Sequence, residues 1–193
     1  MFKIFDITDL IENNGVYYLK NNNKLFTGEV RGKVIGTFVN GKASGIIKEF
    51  YDNGKLHILS NYNEGQLIGK YVEFYENGKT KIKAKVIEGR WHGAYLEYYE
   101  SGQLRESSKY EKGKLEGKFF LYYKEGIIKE KRHYSNGVLE GEYICYYKNG
   151  KIWIKNNYIK GKLEGLRYVY YDNGKLEKKE LYKNGFNTTK SFH

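Results

Sequence analysis

The sequence predicts an all-β protein, an elongated, open, single-layer antiparallel β-meander made of repeats with two strands each. Three sets of glycines, each recurring every 24 residues, are the main reason for this prediction. Recurrence at such a period marks a repeat architecture. The opening set is Gly45, Gly69, Gly93, Gly117, Gly141 and Gly165, the closing set is Gly54, Gly78, Gly102, Gly126, Gly150 and Gly174, and the third set is Gly41, Gly65, Gly89, Gly113, Gly137, Gly161 and Gly185.

The composition agrees with this fold class. The 193-residue chain has 23 glycines, no proline and 21 tyrosines, which favours short strands joined by tight turns. The length suits one domain. We therefore predict a single repeat domain over residues 1–193. Within it, residues 1–44 form an N-terminal cap and a degenerate first repeat, 45–185 the regular repeats, and 186–193 a tail.

The segment before the regular repeats departs from the pattern. Residues 10–12 and 16–19 are expected to be short strands around an Asn14-Gly15 turn. Terminal units of repeat proteins are atypical because they close the core rather than continue it. The first repeat is shortened, and we expect Arg31-Gly32 to turn the chain early.

A regular repeat reads as two strands and two turns. In the repeat that opens at Gly69, the strands are expected at residues 70–76 and 79–86. The Asn77-Gly78 pair between them predicts a type I′ hairpin turn, which needs positive φ at both central residues. Two-residue turns would place Tyr75 opposite Thr80 and fix which side chains share a face.

One face of the predicted sheet is apolar. We expect each opening glycine to leave a bare spot on this face that neighbouring tyrosine rings cover. Cys145, the only cysteine, is expected to be buried here, and no intramolecular disulfide can form. This apolar face collects Tyr51, Tyr75, Tyr99, Tyr123, Tyr147, Tyr171, Leu56, Ile58, Ile82, Leu104, Ile128, Ile152, Ile154 and Leu176.

The opposite, basic–aromatic face combines rings with cations. The expected cross-strand pairs are Phe74–Lys81, Tyr98–Arg105, Tyr122–Lys129 and Tyr146–Trp153, of which the first three would be cation–π contacts. Around them lie Lys83, Lys85, Lys109, Lys131, His133, Lys155 and Lys179. Our candidate partner-binding residues are Phe74, Lys81, Lys83, Lys85, Tyr98, Arg105, Tyr122, Lys129 and Trp153.

The formal net charge of +11 favours an acidic partner for this face. Three interpretations stay open: a merely solvated face, a contact surface for an acidic protein, and a site for single-stranded nucleic acid or anionic lipid. Glu106, Glu130 and Glu177 in the second strands weigh against a phosphate track. The oligomeric state is left open.

No residue pattern predicts catalysis. The histidines His57, His92, His133 and His193 are not at metal-ligand spacing, and no phosphate-binding loop precedes a helix. Glu49, Glu73 and Glu97 recur at one strand position because of the repeat. We predict no catalytic, cofactor-binding or metal site, and therefore a protein that is not an enzyme.

The repeat resembles the MORN-variant repeat. The pattern Gly-x-Tyr-x-x-Tyr-Tyr-x-Asn-Gly-Lys-Leu is seen best at 69–79 and 165–176, and Tyr-x-x-Gly-x-Leu-x-Gly at 110–117 and 158–165. The leader, with Asp9, Asn14-Gly15 and residues 25–28, resembles the opening of the bacterial YwqK-type antitoxin family. Arg90-Trp91-His92, in place of Lys-Leu-Glu, departs from the pattern and is either a contact point or neutral drift.

The resemblance implies an open β-meander used for binding, with a cognate toxin or effector neutralised by direct contact. The alternative it implies is a cell-surface or adhesin-associated interaction protein. The first nine residues carry acids too early for a signal peptide, and no apolar run approaches a membrane span. We therefore expect a cytoplasmic protein, or a secreted or surface-associated one if a signal segment was removed.

Overall fold

The computed structural model describes residues 4–189, and it confirms the predicted all-β, mostly antiparallel repeat fold. Within these residues the one helical element is a short 3-10 helix at Ile7–Asp9, and no helix is long and apolar enough to cross a membrane. The chain divides into an N-terminal unit that ends at His92 and a C-terminal unit that begins at Gly93. The single-domain assignment stays a prediction. The start of the chain at 1–3 and the end of the tail at 190–193, including His193, lie outside the described residues.

The N-terminal unit contains a meander and a separate hairpin. The strands are β1 (Ile4–Asp6), β2 (Leu10–Asn13), β3 (Val16–Leu19), β4 (Gly28–Arg31), β5 (Val34–Val39), β6 (Lys42–Phe50), β7 (Leu56–Asn63), β8 (Gln66–Phe74) and β9 (Thr80–Ile87). In the meander β4 to β9 follow one another as antiparallel neighbours, and β1 lies parallel to β4 at its edge. The hairpin is β2–β3.

The core of this unit lies at its N-terminal end. Leu10 from the β2–β3 hairpin is buried together with Phe26, Val30, Phe38 and Ile47. Both predicted strands of the hairpin are present. The chain also turns directly after Arg31, as expected for the shortened first repeat. A leader that carries its own apolar side chains thus covers a sheet end that would otherwise expose them.

The C-terminal unit is a regular antiparallel meander. It starts in β10 (Arg90–Tyr98), whose residues from Gly93 onward belong to this unit. The remaining strands are β11 (Leu104–Glu111), β12 (Lys114–Leu115), β13 (Gly117–Tyr122), β14 (Ile128–Ser135), β15 (Val138–Leu139), β16 (Gly141–Tyr146), β17 (Ile152–Ile159), β18 (Lys162–Leu163), β19 (Gly165–Tyr170), β20 (Leu176–Lys183) and β21 (Phe186–Asn187).

Of the two turns of a repeat, the one at the closing glycine differs from the prediction. The type I′ turns are those of the third glycine set, because Glu88 has φ +50° and Gly89 φ +70°. At the closing glycine only Gly78 has positive φ, +87°. Its N–H donates to the Tyr75 carbonyl at 2.8 Å, and the Asn77 side chain accepts from the Lys79 N–H at 2.9 Å. The predicted type I′ turn at Asn77-Gly78 is therefore wrong, since this asparagine acts through its side chain and not through a left-handed backbone.

This three-residue turn changes the register beside it. Glu73 faces Ile82 as predicted, but Thr80 faces Phe74 and not Tyr75. Lys81 becomes an extra residue, a β-bulge, and such a bulge redirects its side chain. The predicted register places Thr80 and Ile128 on the apolar face. In the structure they lie on the opposite face, where Thr80 pairs with Phe74 and Ile128 pairs with Tyr122. The register shifts at the same point in six hairpins, with His57, Lys81, Arg105, Lys129, Trp153 and Glu177 as the extra residues.

The opening glycines do not carry tyrosine rings. A Cβ added at Gly117 or Gly141 would meet nothing within 4 Å. The predicted ring cover is therefore wrong. What requires glycine is the backbone, since Gly117 has φ +75° at a break between two strand segments. The small buried side chains are instead Ser60, Ala84, Ser108 and Asn156, which recur along the second strands.

Candidate partner-binding surface

The apolar face of the C-terminal unit is filled by its own rings. Tyr143 and Tyr158 meet edge to face at 6.0 Å, and Phe119 and Tyr134 do so at 5.9 Å. Cys145 is buried as predicted, and burial raises the pKa of its thiol. Because these side chains pack on one another, this face stabilises the sheet.

A row of tyrosines joins successive repeats through hydroxyl groups. The Tyr99 hydroxyl donates to the Tyr122 carbonyl at 2.7 Å, Tyr123 to Tyr146 at 2.9 Å, and Tyr147 to Tyr170 at 2.8 Å. In the N-terminal unit Tyr51 donates to Phe74 in the same way, at 2.6 Å. Each bond connects residue i to residue i+23. The sequence shows a tyrosine three residues before every closing glycine, but it does not show which backbone carbonyl accepts from the tyrosine hydroxyl.

The bulge residues pack beside this tyrosine row. Lys129 Nζ lies 5.8 Å from the centre of the Tyr123 ring, and the Trp153 ring lies 5.7 Å from that of Tyr147. The predicted pairing of Lys129 with Tyr122 is therefore wrong, because Tyr122 faces Ile128 and the bulge turns Lys129 toward Tyr123. The predicted pair Tyr146–Trp153 is wrong for the same reason, since Tyr146 faces Ile152.

Lys81 and Arg105 make ion pairs in the same position. Lys81 Nζ lies 2.7 Å from Glu73 Oε1 and 5.9 Å from the Tyr75 ring centre, so the expected contact with Phe74 is replaced. The hydrogen bond to Glu73 raises the pKa of Lys81. Arg105 pairs with Glu97, and Tyr98, its expected cross-strand partner, faces Leu104.

The remaining candidates do lie on the basic–aromatic face. In the N-terminal unit Lys83 faces Val72, and Lys85 faces Lys70 on the adjacent strand, with both candidate lysines exposed. Phe74 is half-buried in the same sheet. In the C-terminal unit Tyr98 and Tyr122 are also half-buried. The structure thus separates the nine candidates into five on this face and four, Lys81, Arg105, Lys129 and Trp153, beside the tyrosine row.

The C-terminal unit carries a more regular feature of the basic–aromatic face, which we name the lysine row: Lys131, Lys155 and Lys179. Lys131 pairs with Ile144, which pairs with Lys155. Lys155 pairs in turn with Tyr168, which pairs with Lys179. Lysines and apolar residues therefore alternate across five neighbouring strands. These lysines were predicted on this face, but their alignment was missed because it depends on a register offset at the opening-glycine break, between the Tyr134–Leu139 and Lys131–Ile144 pairs.

The surroundings of the lysine row are aromatic and partly exposed. Lys131 Nζ lies 5.3 Å from the Tyr146 ring centre, and Lys179 Nζ lies 5.8 Å from that of Tyr168. Lys155 Nζ lies 2.8 Å from Glu142 Oε1, and this hydrogen bond raises the pKa of Lys155. Beside the row, Leu166 and Leu181 face each other across β19 and β20 and are 39% and 46% exposed. The surface thus offers cations and apolar groups together.

Within residues 4–189 no group of three His, Cys, Asp or Glu side chains is placed to hold a metal ion. Trp91, the bulky departure from the repeat pattern, packs edge to face on Tyr71 at 5.2 Å. Its proposed role as a contact point stays a prediction.

These features define a β-repeat protein with a patterned basic–aromatic face. The family model of the MORN repeat variant matches the chain six times, at residues 44–64, 67–86, 91–112, 115–136, 139–160 and 163–184. The chain therefore belongs to the MORN repeat variant family, whose repeats generally bind proteins or membranes. No curated protein matches the chain.

Proposed function

We propose that this protein is a non-enzymatic repeat scaffold that binds the acidic surface of a protein partner through its basic–aromatic face. The lysine row carries this proposal, because its cations are set at regular intervals between apolar residues. A protein surface offers carboxylates and apolar groups side by side. Exposed Leu166 and Leu181 next to Lys179 suit such a surface better than a bare polyanion.

We further propose that the partner is a cognate toxin or effector and that binding neutralises it in the cytoplasm. The leader that resembles the YwqK-type antitoxin family supports this role. Its hairpin contributes Leu10 to the core of the N-terminal unit, so the leader belongs to the folded body of the protein. Neutralisation by binding would be stoichiometric and would not need a catalytic group.

Co-expression with the toxin encoded by a neighbouring gene tests this function. We expect growth to be restored and the two proteins to co-elute on gel filtration. A Lys131→Glu, Lys155→Glu, Lys179→Glu variant should lose both effects, whereas a variant with Lys114, Lys124 and Lys162 changed to Glu should keep them. Absence of rescue together with absence of a complex would reject the antitoxin role.

Two other functions compete with this one. A cell-surface or adhesin-associated scaffold should appear in the envelope fraction, so detection in the cytosol alone would count against it. A binder of single-stranded nucleic acid or anionic lipid is favoured by the Lys131–Tyr146 contact, but Glu142 beside Lys155 opposes phosphate binding. Such binding should weaken steeply with salt, and a salt-independent or absent gel shift would reject it.

A further inference from the structure

The spacing of the lysine row points to the secondary structure of its partner. Equivalent lysines lie two strands apart, which is about 9.6 Å at the usual strand separation. Seven residues of an α-helix span about 10.5 Å, or about two turns. In an extended strand, side chains on one face recur at about 6.7 Å and would fall out of step.

We propose, on the basis of the protein-binding function above, that the C-terminal unit binds an acidic amphipathic helix lying across its strands. Carboxylates at positions i, i+7 and i+14 of the helix would meet Lys131, Lys155 and Lys179 in turn. The mismatch of about 1 Å per step is within the reach of a lysine side chain with its four-carbon stem.

The apolar side chains provide the second half of the match. Tyr168 lies between Lys155 and Lys179, as the pairing of β17, β19 and β20 shows. Leu166 and Leu181 extend the apolar surface beside that end of the row. A helix that carries leucines at i+3 and i+4 between its acids would place them over this surface. The charges therefore repeat at the two-turn period of a helix, and the exposed apolar side chains lie at the Lys179 end of the row.

Glu142 would compete with the bound helix for Lys155. Its carboxylate already holds Lys155 at 2.8 Å, so a carboxylate of the helix must share or displace it. Replacing Glu142 by Gln removes that competition and the like-charge repulsion. The affinity for an acidic helix should rise, by about two- to fivefold for one exposed ion pair.

The test uses the full chain and two designed helical peptides of equal length, composition and net charge. The matched peptide has glutamates at every seventh position and leucines between them. The shifted peptide has the same residues with glutamates at every fifth position, so its acids spread around the helix. Titration calorimetry should show that the matched peptide binds at least about tenfold more tightly, the equivalent of about 1.4 kcal/mol.

Two sets of variants locate the site. Lys131→Gln, Lys155→Gln and Lys179→Gln together should abolish the preference for the matched peptide. Lys114→Gln, Lys124→Gln and Lys162→Gln, which remove the same charge from exposed positions elsewhere in this unit, should preserve it. Circular dichroism would verify that both variants keep the strand content of the parent chain.

Three results would overturn the proposal: equal affinity for the two peptides, unchanged preference in the lysine-row variant, or equally tight binding of a polyuridine 20-mer at the same row. None of them bears on toxin rescue. If rescue persists while the peptides fail, the helix proposal is wrong and the protein-binding function stands. If rescue fails while the matched peptide binds, the antitoxin role is the part that is wrong.

Discussion

At the scale of single residues, hydrogen bonds donated by tyrosine hydroxyls connect successive repeats. A tyrosine hydroxyl of one repeat reaches a backbone carbonyl of the next, as Tyr123 does with Tyr146. A carbonyl that a neighbouring side chain satisfies does not need water. The recurrence of this tyrosine was visible in the sequence, but its acceptor follows from a bulged register that no composition rule gives.

Replacing Tyr123 by Phe should destabilise the protein by about 0.5–1.5 kcal/mol, the net value of one hydrogen bond. Urea denaturation measures the change. Tyr171→Phe is the matched control, because this tyrosine is 50% exposed and its hydroxyl has no hydrogen-bond acceptor within residues 4–189. Equal losses in both variants would show that the hydroxyl bond does not contribute.

Glu106 should make stability depend on pH. Burial, the largest cause, raises the pKa of this carboxyl above its ordinary value, although the Ser108 hydroxyl donates to it at 2.7 Å. Its favourable contribution is fully present below the ordinary pKa and is lost as the pH rises through the raised one. Glu106→Gln should therefore gain stability relative to the parent chain as the pH rises from 4 toward neutrality.

Urea midpoints at a series of pH values would measure this difference, with the exposed Glu111→Gln as control. A Glu106→Gln variant whose stability runs parallel to that of the parent chain at all pH values would contradict the assignment.

At the scale of strands and turns, the sequence predicted which segments form elements better than how they connect. Both turns of a repeat end in glycine, so the pattern alone did not separate a type I′ turn from a three-residue turn with a bulge. The difference lies in the backbone of the preceding residue. Glu88 has φ +50°, whereas Asn77 is held by its own side chain. The one-residue shift in register then places the cations at the bulge positions away from the rings that they were predicted to contact.

Asparagine should stabilise the type I′ turns that now carry other residues. Lys112 and Lys160 have φ +49° and +50°, a conformation that asparagine adopts more readily than lysine. Lys112→Asn and Lys160→Asn should each raise stability by up to about 1 kcal/mol in thermal denaturation. Lys124→Asn, in a closing turn, should show no such gain. A uniform effect of all three changes would argue against the turn assignment.

Substitutions at an opening glycine test whether the glycine is required for its backbone conformation or for the space that it leaves. Gly117 has φ +75° and open surroundings, so Gly117→Ala should cost about 1–2 kcal/mol through the backbone alone. Gly117→Asn should cost less although its side chain is larger, because asparagine tolerates this region. The stabilities of the two variants in urea decide the question. A larger loss for asparagine would restore the idea that the glycine makes room for a ring.

At the scale of the whole molecule, the formal net charge of +11 is consistent with attraction to acidic partners, and the fold arranges part of that charge in order. The repeat architecture followed from glycine spacing, and the family from the resemblance of the repeat pattern to the MORN-variant repeat. The lysine row did not, because its alignment requires the pairing of β14, β16, β17, β19 and β20. Four of the nine candidate residues also lie beside the tyrosine row, where the bulges direct them.

The central claim is tested most directly by measuring the affinity of the co-eluting protein partner for three forms of the chain. The forms are the parent chain, the variant with Lys131, Lys155 and Lys179 changed to Gln, and the variant with Lys114, Lys124 and Lys162 changed to Gln. We predict a loss of about tenfold or more for the first variant and a change within about twofold for the second, since three ion pairs contribute together about 1–3 kcal/mol. Equal affinities of all three forms would contradict the claim that this protein binds its partner through the basic–aromatic face.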